Sequence, residues 1–332
     1  MMYYRPLVQT DLSRPATALT LAGGWGWFHS LERLSRDAAP EIVSVDQVPE
    51  AVLARLTAPR APLAGLDMAA PKVMGILNVT PDSFSDGGQH NAPKAALDHA
   101  LKMVADGADI LDIGGESTRP GAAIVPIDQE VARTAPVIGE IRQHLATPVS
   151  IDTRKAPVAQ AAIEAGASLV NDVAGFTYDP ALAPLCAQMA LPVCVMHAQG
   201  DPQTMQDDPR YDDVLLDVYD FLDARISALV EAGVAHDQIM VDPGIGFGKT
   251  PVHNLTLIRN ISLFHALGCP VLLGASRKRF IGTLGQAPDP KDRMSGSVAL
   301  ALAAVAQGVQ MVRVHDVFET RSALTLWQAV SV

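Results

Sequence analysis

Asp152, Asn171 and Asp242 each close a short β-branched run, and their side chains can bind a flat polar ligand. A carboxylate accepts two N–H bonds at once, and an amide both donates and accepts. The three together suit a heterocycle with an amidine-like edge, such as a 2-amino-4-oxo pterin. Each charge-assisted bond of this kind contributes on the order of 1.5–3 kcal/mol, so a buried ring would be oriented as well as held. Internal ion pairing is the other use of the same carboxylates. Arg119, Arg313 and His315 can surround a polyphosphate. Asn78 offers a neutral oxygen to a magnesium ion bridging a diphosphate, because magnesium takes few protein ligands and keeps waters and phosphate oxygens. Bridged in this way, a diphosphate is a better leaving group.

Those residues need a scaffold that brings distant segments to one place. From residue 73 onward, short apolar runs alternate with longer helical patterns, which is the mark of βα units around a parallel sheet. Strands are expected at 73–78, 109–113, 148–152, 168–171, 192–196, 239–242, 270–274 and 310–314. Helices are expected at 94–105, 128–144, 156–165, 181–189, 211–232, 255–267, 295–306 and 318–329. Eight of each over residues 71–332 predict an α/β fold, a (β/α)8 TIM barrel, whose site lies at the C-terminal ends of its strands. Each run does end in polar residues: Asn78, 114–120, Asp152, Asn171-Asp172, His197, Asp242, 276–278 and 313–316. Any one of these could be a helix cap, but caps alone would not require Lys278, Arg313 and His315 together.

Residues 1–70 break the rhythm with six prolines and read as a small N-terminal extension, with one helix at 46–56 and a linker at 58–70. The net charge of −11 argues against nucleic acid or an anionic membrane surface as partner. No apolar run reaches the roughly 20 residues of a membrane span. Cys186, Cys194 and Cys269 stand alone in apolar stretches and read as buried thiols of a cytoplasmic protein. Residues 244–250 end in Gly-Lys-Thr, but Pro243 occupies the first glycine position of a P-loop, which excludes ATP binding there. Those glycines are expected to let the backbone approach a flat ligand, with Phe247 as an apolar wall.

Residues 75–88 (GILNVTPDSFSDGG) and 112–121 (DIGGESTRPG) resemble the first two loops of the dihydropteroate synthase family. SIDT at 150–153, VND at 170–172, VMH at 195–197, DPGIGFGK at 242–249, SRK at 276–278 and RVHD at 313–316 follow in that family's order. The resemblance implies a magnesium-assisted condensation of 6-hydroxymethyl-7,8-dihydropterin diphosphate with 4-aminobenzoate in folate biosynthesis. It implies Asp152, Asn171, Met196, Asp242 and Lys278 at the pterin, and Asn78, Arg119, Arg313 and His315 at the diphosphate, with Asn78 on the metal. Thr118, Pro120 and Phe247 would form the aminobenzoate pocket, and Arg279 stands where a serine is frequent near the aminobenzoate carboxylate. Asp86, Asp152 and Lys278 are the implied catalytic groups, the two carboxylates stabilising a pterin methylene cation as it develops. A homodimer and sensitivity to sulfonamides are further implications. The alternatives are a pterin-binding methyltransferase of the methyltetrahydrofolate type and a catalytically silent pterin-binding subunit. On this assignment, loss of Arg313 should spare binding of the free pterin, whereas loss of Asp242 should abolish it.

Overall fold

The computed structural model describes residues 1–80, 92–117, 124–200 and 204–331. Its centre is an eight-stranded parallel sheet: β1 (Lys72–Asn78), β2 (Ile110–Gly114), β3 (Val149–Asp152), β4 (Leu169–Asp172), β5 (Val193–Met196), β6 (Ile239–Asp242), β7 (Leu272–Leu273) and β8 (Met311–Val314). Neighbours pair in sequence order from β1 to β6, and β8 lies between β1 and β7. A parallel bridge from Val241 to Val271 joins β6 to β7 and closes the barrel. The strands are almost wholly buried because helices cover their outer faces, which is why they read as continuous apolar runs rather than as an alternation.

The helices follow the expected places, with two differences. The expected helix at 255–267 is an α-helix over Pro251–Arg259 and a separate 3-10 helix over Ile261–Leu267. The α-helical part starts one turn early because Thr250 and His253 form a capping box and Pro251 presets the first turn. A short helix over Arg279–Leu284, directly after Lys278, has no counterpart in the sequence reading. It is less than two turns long, so it leaves little periodic signal.

The first seventy residues hold more structure than their composition suggested. Tyr3–Pro6, Ser30–Leu34 and Glu41–Ser44 form an antiparallel sheet, and Leu19–Thr20 pairs with Trp27–Phe28. The helix expected at 46–56 runs over Glu50–Thr57, since Pro49 separates it from a 3-10 turn at Val45–Gln47. Ser262 Oγ donates to the Pro6 carbonyl at 2.9 Å and Trp25 Nε1 to the Val305 carbonyl at 2.9 Å, joining this segment to the barrel helices. The stretch at 58–70 is not a free linker. Leu63 and Met68 are fully buried among Met74, Ile110, Leu169, Cys194, Met240, Leu272 and Met311, residues from every barrel strand except β3. They plug the N-terminal end of the barrel, opposite the polar strand ends. No helix among the described residues is long and apolar enough to cross a membrane.

Candidate active site at the carboxyl ends of the strands

Strand register decides which polar residues meet. Asn78 is level with Gly114, Gly114 with Asp152 and Asp152 with Asn171, while Met196 is level with Asp242. Asp152, Asn171, Met196 and Asp242 are 8, 4, 3 and 5% exposed, so the acceptors and donors expected to read a heterocycle line a buried floor. Two glycines leave space among them. A Cβ at Gly114 would sit 3.7 Å from Asp152 Oδ2 and 3.8 Å from Asn78 Oδ1, and one at Gly274 would sit 3.4 Å from Asp242 Oδ2. The missing side chains leave a hollow beside those oxygens, one of which, Asp152 Oδ2, already accepts Arg313 Nη2 at 2.7 Å.

Asp242 holds its own loop in place: its Oδ1 accepts the Gly244 amide at 2.7 Å. Burial pushes its carboxyl up to about 6, with the Gly244 amide and the Lys278 charge opposing. Asp152 is likewise raised by burial, against the pull of Arg313, with Asp112 and Asp172 adding repulsion. Arg313 is engaged more deeply than the sequence suggested. Its Nε donates to Asp112 Oδ2 at 2.5 Å and its Nη2 to Asp152 Oδ2 at 2.7 Å. Asp112 is fully buried and also accepts Asn171 Nδ2 at 3.2 Å. The carboxylate pairing weighed as the alternative use of Asp152 is thus present. Asp112 is a member of this cluster that is not among the site residues expected from sequence. The available signal was a charged residue two positions before Gly114, on the same inward pleat of a buried strand.

The cationic side of the rim comes from β7 and β8. His315 Nδ1 lies 3.0 Å from Ser276 Oγ, which also accepts the His315 amide. Arg277 pairs with Asp316 through both forks of its guanidinium. Lys278 Nζ stands 4.1 Å from the Phe247 ring centroid in cation–π geometry, so these two residues share one wall. Arg279 is solvent-exposed at the first position of its short helix. Asp86, Thr118, Arg119 and Pro120 lie outside the described residues.

His197, counted with the rim in the sequence, is buried at 5% exposure and packs edge-on against Phe221 at 4.8 Å. Gly244, Gly246 and Gly248 all have positive φ. The close approach at Gly244 and Gly248 is to protein backbone rather than to ligand space. A Cβ would lie 1.8 Å from the His197 carbonyl at Gly244 and 2.5 Å from the Gln199 carbonyl at Gly248. On the other side of the rim, Glu116 accepts the Val125 amide at 3.0 Å and Arg154 Nη2 at 2.9 Å. Lys155 bonds the Val125 carbonyl and Glu130, each at 2.6 Å.

The strand ends therefore carry buried acceptors, the cations Arg313 and Lys278, and an aromatic ring packed on Lys278. A model of pterin-binding enzymes matches residues 74–315. A dihydropteroate synthase from Synechocystis sp. is 48% identical over 245 residues, 74% of this chain and 85% of that one. Among solved structures, Xanthomonas albilineans dihydropteroate synthase with 4-aminobenzoic acid aligns with a TM-score of 0.77 and 47% identity, covering 82% of this chain and 98% of that one. Yersinia pestis dihydropteroate synthase in a sulfonamide drug complex aligns with a TM-score of 0.76 and 46% identity, covering 80% and 95%. The shared barrel, the nearly complete coverage of these relatives and the motifs at the strand ends lead to one assignment: the chain belongs to the dihydropteroate synthase family.

Proposed function

We infer that this chain condenses 6-hydroxymethyl-7,8-dihydropterin diphosphate with 4-aminobenzoate, giving 7,8-dihydropteroate, diphosphate and a proton. The observation that carries the reading is the cluster of buried strand-end side chains, with Asp152 level with Asn171, and Asp242 two residues further along the register and within the field of Lys278, which packs on Phe247. The carboxylates accept the N–H groups of the pterin edge, Asn171 supplies a matching donor or acceptor, and Met196 lies beneath the ring. His315 and Arg119 hold the diphosphate, together with Arg313 Nη1, the guanidinium nitrogen of Arg313 not bonded to Asp112 or Asp152. Thr118, Pro120, Phe247 and Arg279 border the aminobenzoate.

The bond from the methylene carbon to the diphosphate oxygen breaks as charge builds on the pterin, and the arylamine nitrogen then bonds to that carbon and loses a proton. Asp152 and Asp86 stabilise the positive charge, and Lys278 orients the ring between them and Phe247. Among the described residues no three His, Cys, Asp or Glu side chains could cage a metal ion, whereas the amide oxygen of Asn78 faces the hollow beside Asp152. One neutral protein oxygen fits a magnesium ion that takes its other ligands from diphosphate and water. Bound there, magnesium would add positive charge to the leaving group.

Purified protein supplied with both substrates should form dihydropteroate, lose the activity on chelation and regain it with added magnesium. In the same assay a sulfonamide should raise the apparent KM for 4-aminobenzoate without changing kcat. A folded protein that makes no product would overturn the reading, and activity indifferent to chelation would remove the metal from it.

The reading also includes a cytoplasmic location, consistent with three buried free thiols, and an accessory role for residues 1–70 around the barrel floor. It includes a homodimer as well. Phe318, Leu326 and Val330 are 60, 67 and 83% exposed along the last helix (Val317–Ser331) at multiples of four residues, a shared face that a second copy would cover. Sedimentation should give twice the chain mass, and a monomer at micromolar concentration would count against the dimer.

A further inference from the structure

We propose that Lys249 is a positioning residue for the arylamine half of the site, acting through Phe247 rather than on substrate. The proposal rests on the reading of Phe247 as a wall of the aminobenzoate pocket. Lys249 is 3% exposed, and its Nζ lies 2.8 Å from His197 Nδ1, 3.0 Å from the Phe247 carbonyl and 3.4 Å from the His197 carbonyl. No carboxylate is among these three partners. The Asp242 charge favours the ammonium from a distance, but every group bonded to it is neutral, an expensive way to close a loop. Burial accordingly pushes Lys249 down to about 7 and His197 down to about 2.

What the lysine holds is a seam between two strand ends. On one side is the backbone after β5, at His197 and Gln199. On the other is the loop after β6, whose glycines 244 and 248 close onto those carbonyls. Other bonds secure the flanks of that loop: Gly246 N donates to Asn254 Oδ1 at 2.7 Å, and Tyr211 Oη donates to the Gly248 carbonyl at 2.8 Å. The Phe247 carbonyl itself is bonded by Lys249. That bond fixes the peptide from which the Phe247 ring projects against Lys278. The hydrogen bonds that place the pterin residues do not depend on it, because Asp152 and Asn171 stand on β3 and β4 and Asp242 is held by the Gly244 amide; the Lys249 charge reaches Asp242 only as the last of three cations that favour its carboxylate.

A staple that only stabilises the fold and a residue that aims Phe247 predict opposite patterns in Lys249→Met. Positioning predicts that KM for 4-aminobenzoate rises on the order of tenfold, while kcat and KM for the pterin diphosphate stay within about threefold. The melting temperature should hold or rise, since methionine fills the space without a desolvated charge. Lys249→Arg keeps a donor at the seam and should fall between the two; if the methionine variant fails to fold, the arginine variant decides. Equal shifts in both KM values, or a lowered melting temperature with an unchanged aminobenzoate KM, would overturn the proposal. Wild-type turnover in the same assay separates such a result from failure of the functional reading itself.

Discussion

Arg313→Met is expected to lower the stability of the protein by about 3–5 kcal/mol, the scale of removing one partner from a buried ion pair. The guanidinium bridges Asp112, with no exposure, and Asp152, with a side chain 9% exposed. Methionine would leave two carboxylates on the adjacent strands β2 and β3 without the guanidinium that bridges them. One would have to take up a proton or draw in water. At about 2 °C per kcal/mol for a chain of this size, the melting temperature should fall by roughly 6–10 °C. A second substitution identifies the cause. Asp112→Asn added to Arg313→Met removes one of the stranded charges and should recover part of the loss, and a double variant no more stable than the single one would refute the pairing argument. Free pterin binding should weaken as well, because Arg313 sets the position and charge of Asp152. That replaces the expectation from sequence that loss of Arg313 would spare the free pterin, an expectation that treated the arginine as a phosphate ligand only.

The second large effect concerns Asp242. Asp242→Asn keeps an oxygen for the Gly244 amide but puts an NH2 group where the other carboxylate oxygen faces the hollow. A donor then meets the N–H donors of the pterin edge. Losing one charge-assisted bond, about 1.5–3 kcal/mol, corresponds to a fall of ~10–10²-fold in pterin affinity. Titration calorimetry with the pterin should read this directly, with little change in melting temperature; an affinity within threefold of wild type would remove Asp242 from the pterin site. The wild-type carboxyl, pushed up to about 6, adds a pH arm. Its charge is lost as pH falls through 6, so pterin affinity should decline there, and the asparagine variant should lack that decline. The stability linkage has the opposite sense. A carboxyl raised from 3.8 to about 6 on folding contributes stability that is complete below 3.8 and lost as pH rises through 6.

The strand-end residues, the barrel and the family motifs were legible in the chain because a parallel barrel imposes a strict local pattern: an apolar run, a polar end, a helix. Asn78, Asp152, Asn171, Met196 and Asp242 sit at those ends by virtue of position alone, so their convergence follows from the fold class. Partner choice among charged residues does not follow in that way. Arg313 finds Asp112 and Asp152 from 201 and 161 residues away, and Lys249 finds His197 from 52, through strand register and barrel closure that no local window contains. The same limit hid the structure of residues 1–70. Strands of two to five residues carry too little periodicity to read, and Leu63 and Met68 look like linker residues until seven barrel strands surround them. Sequence alone therefore determined the barrel and the family that its strand ends spell. Tertiary structure decided which of those charges are already paired, because pairing depends on distances across the barrel rather than along the chain.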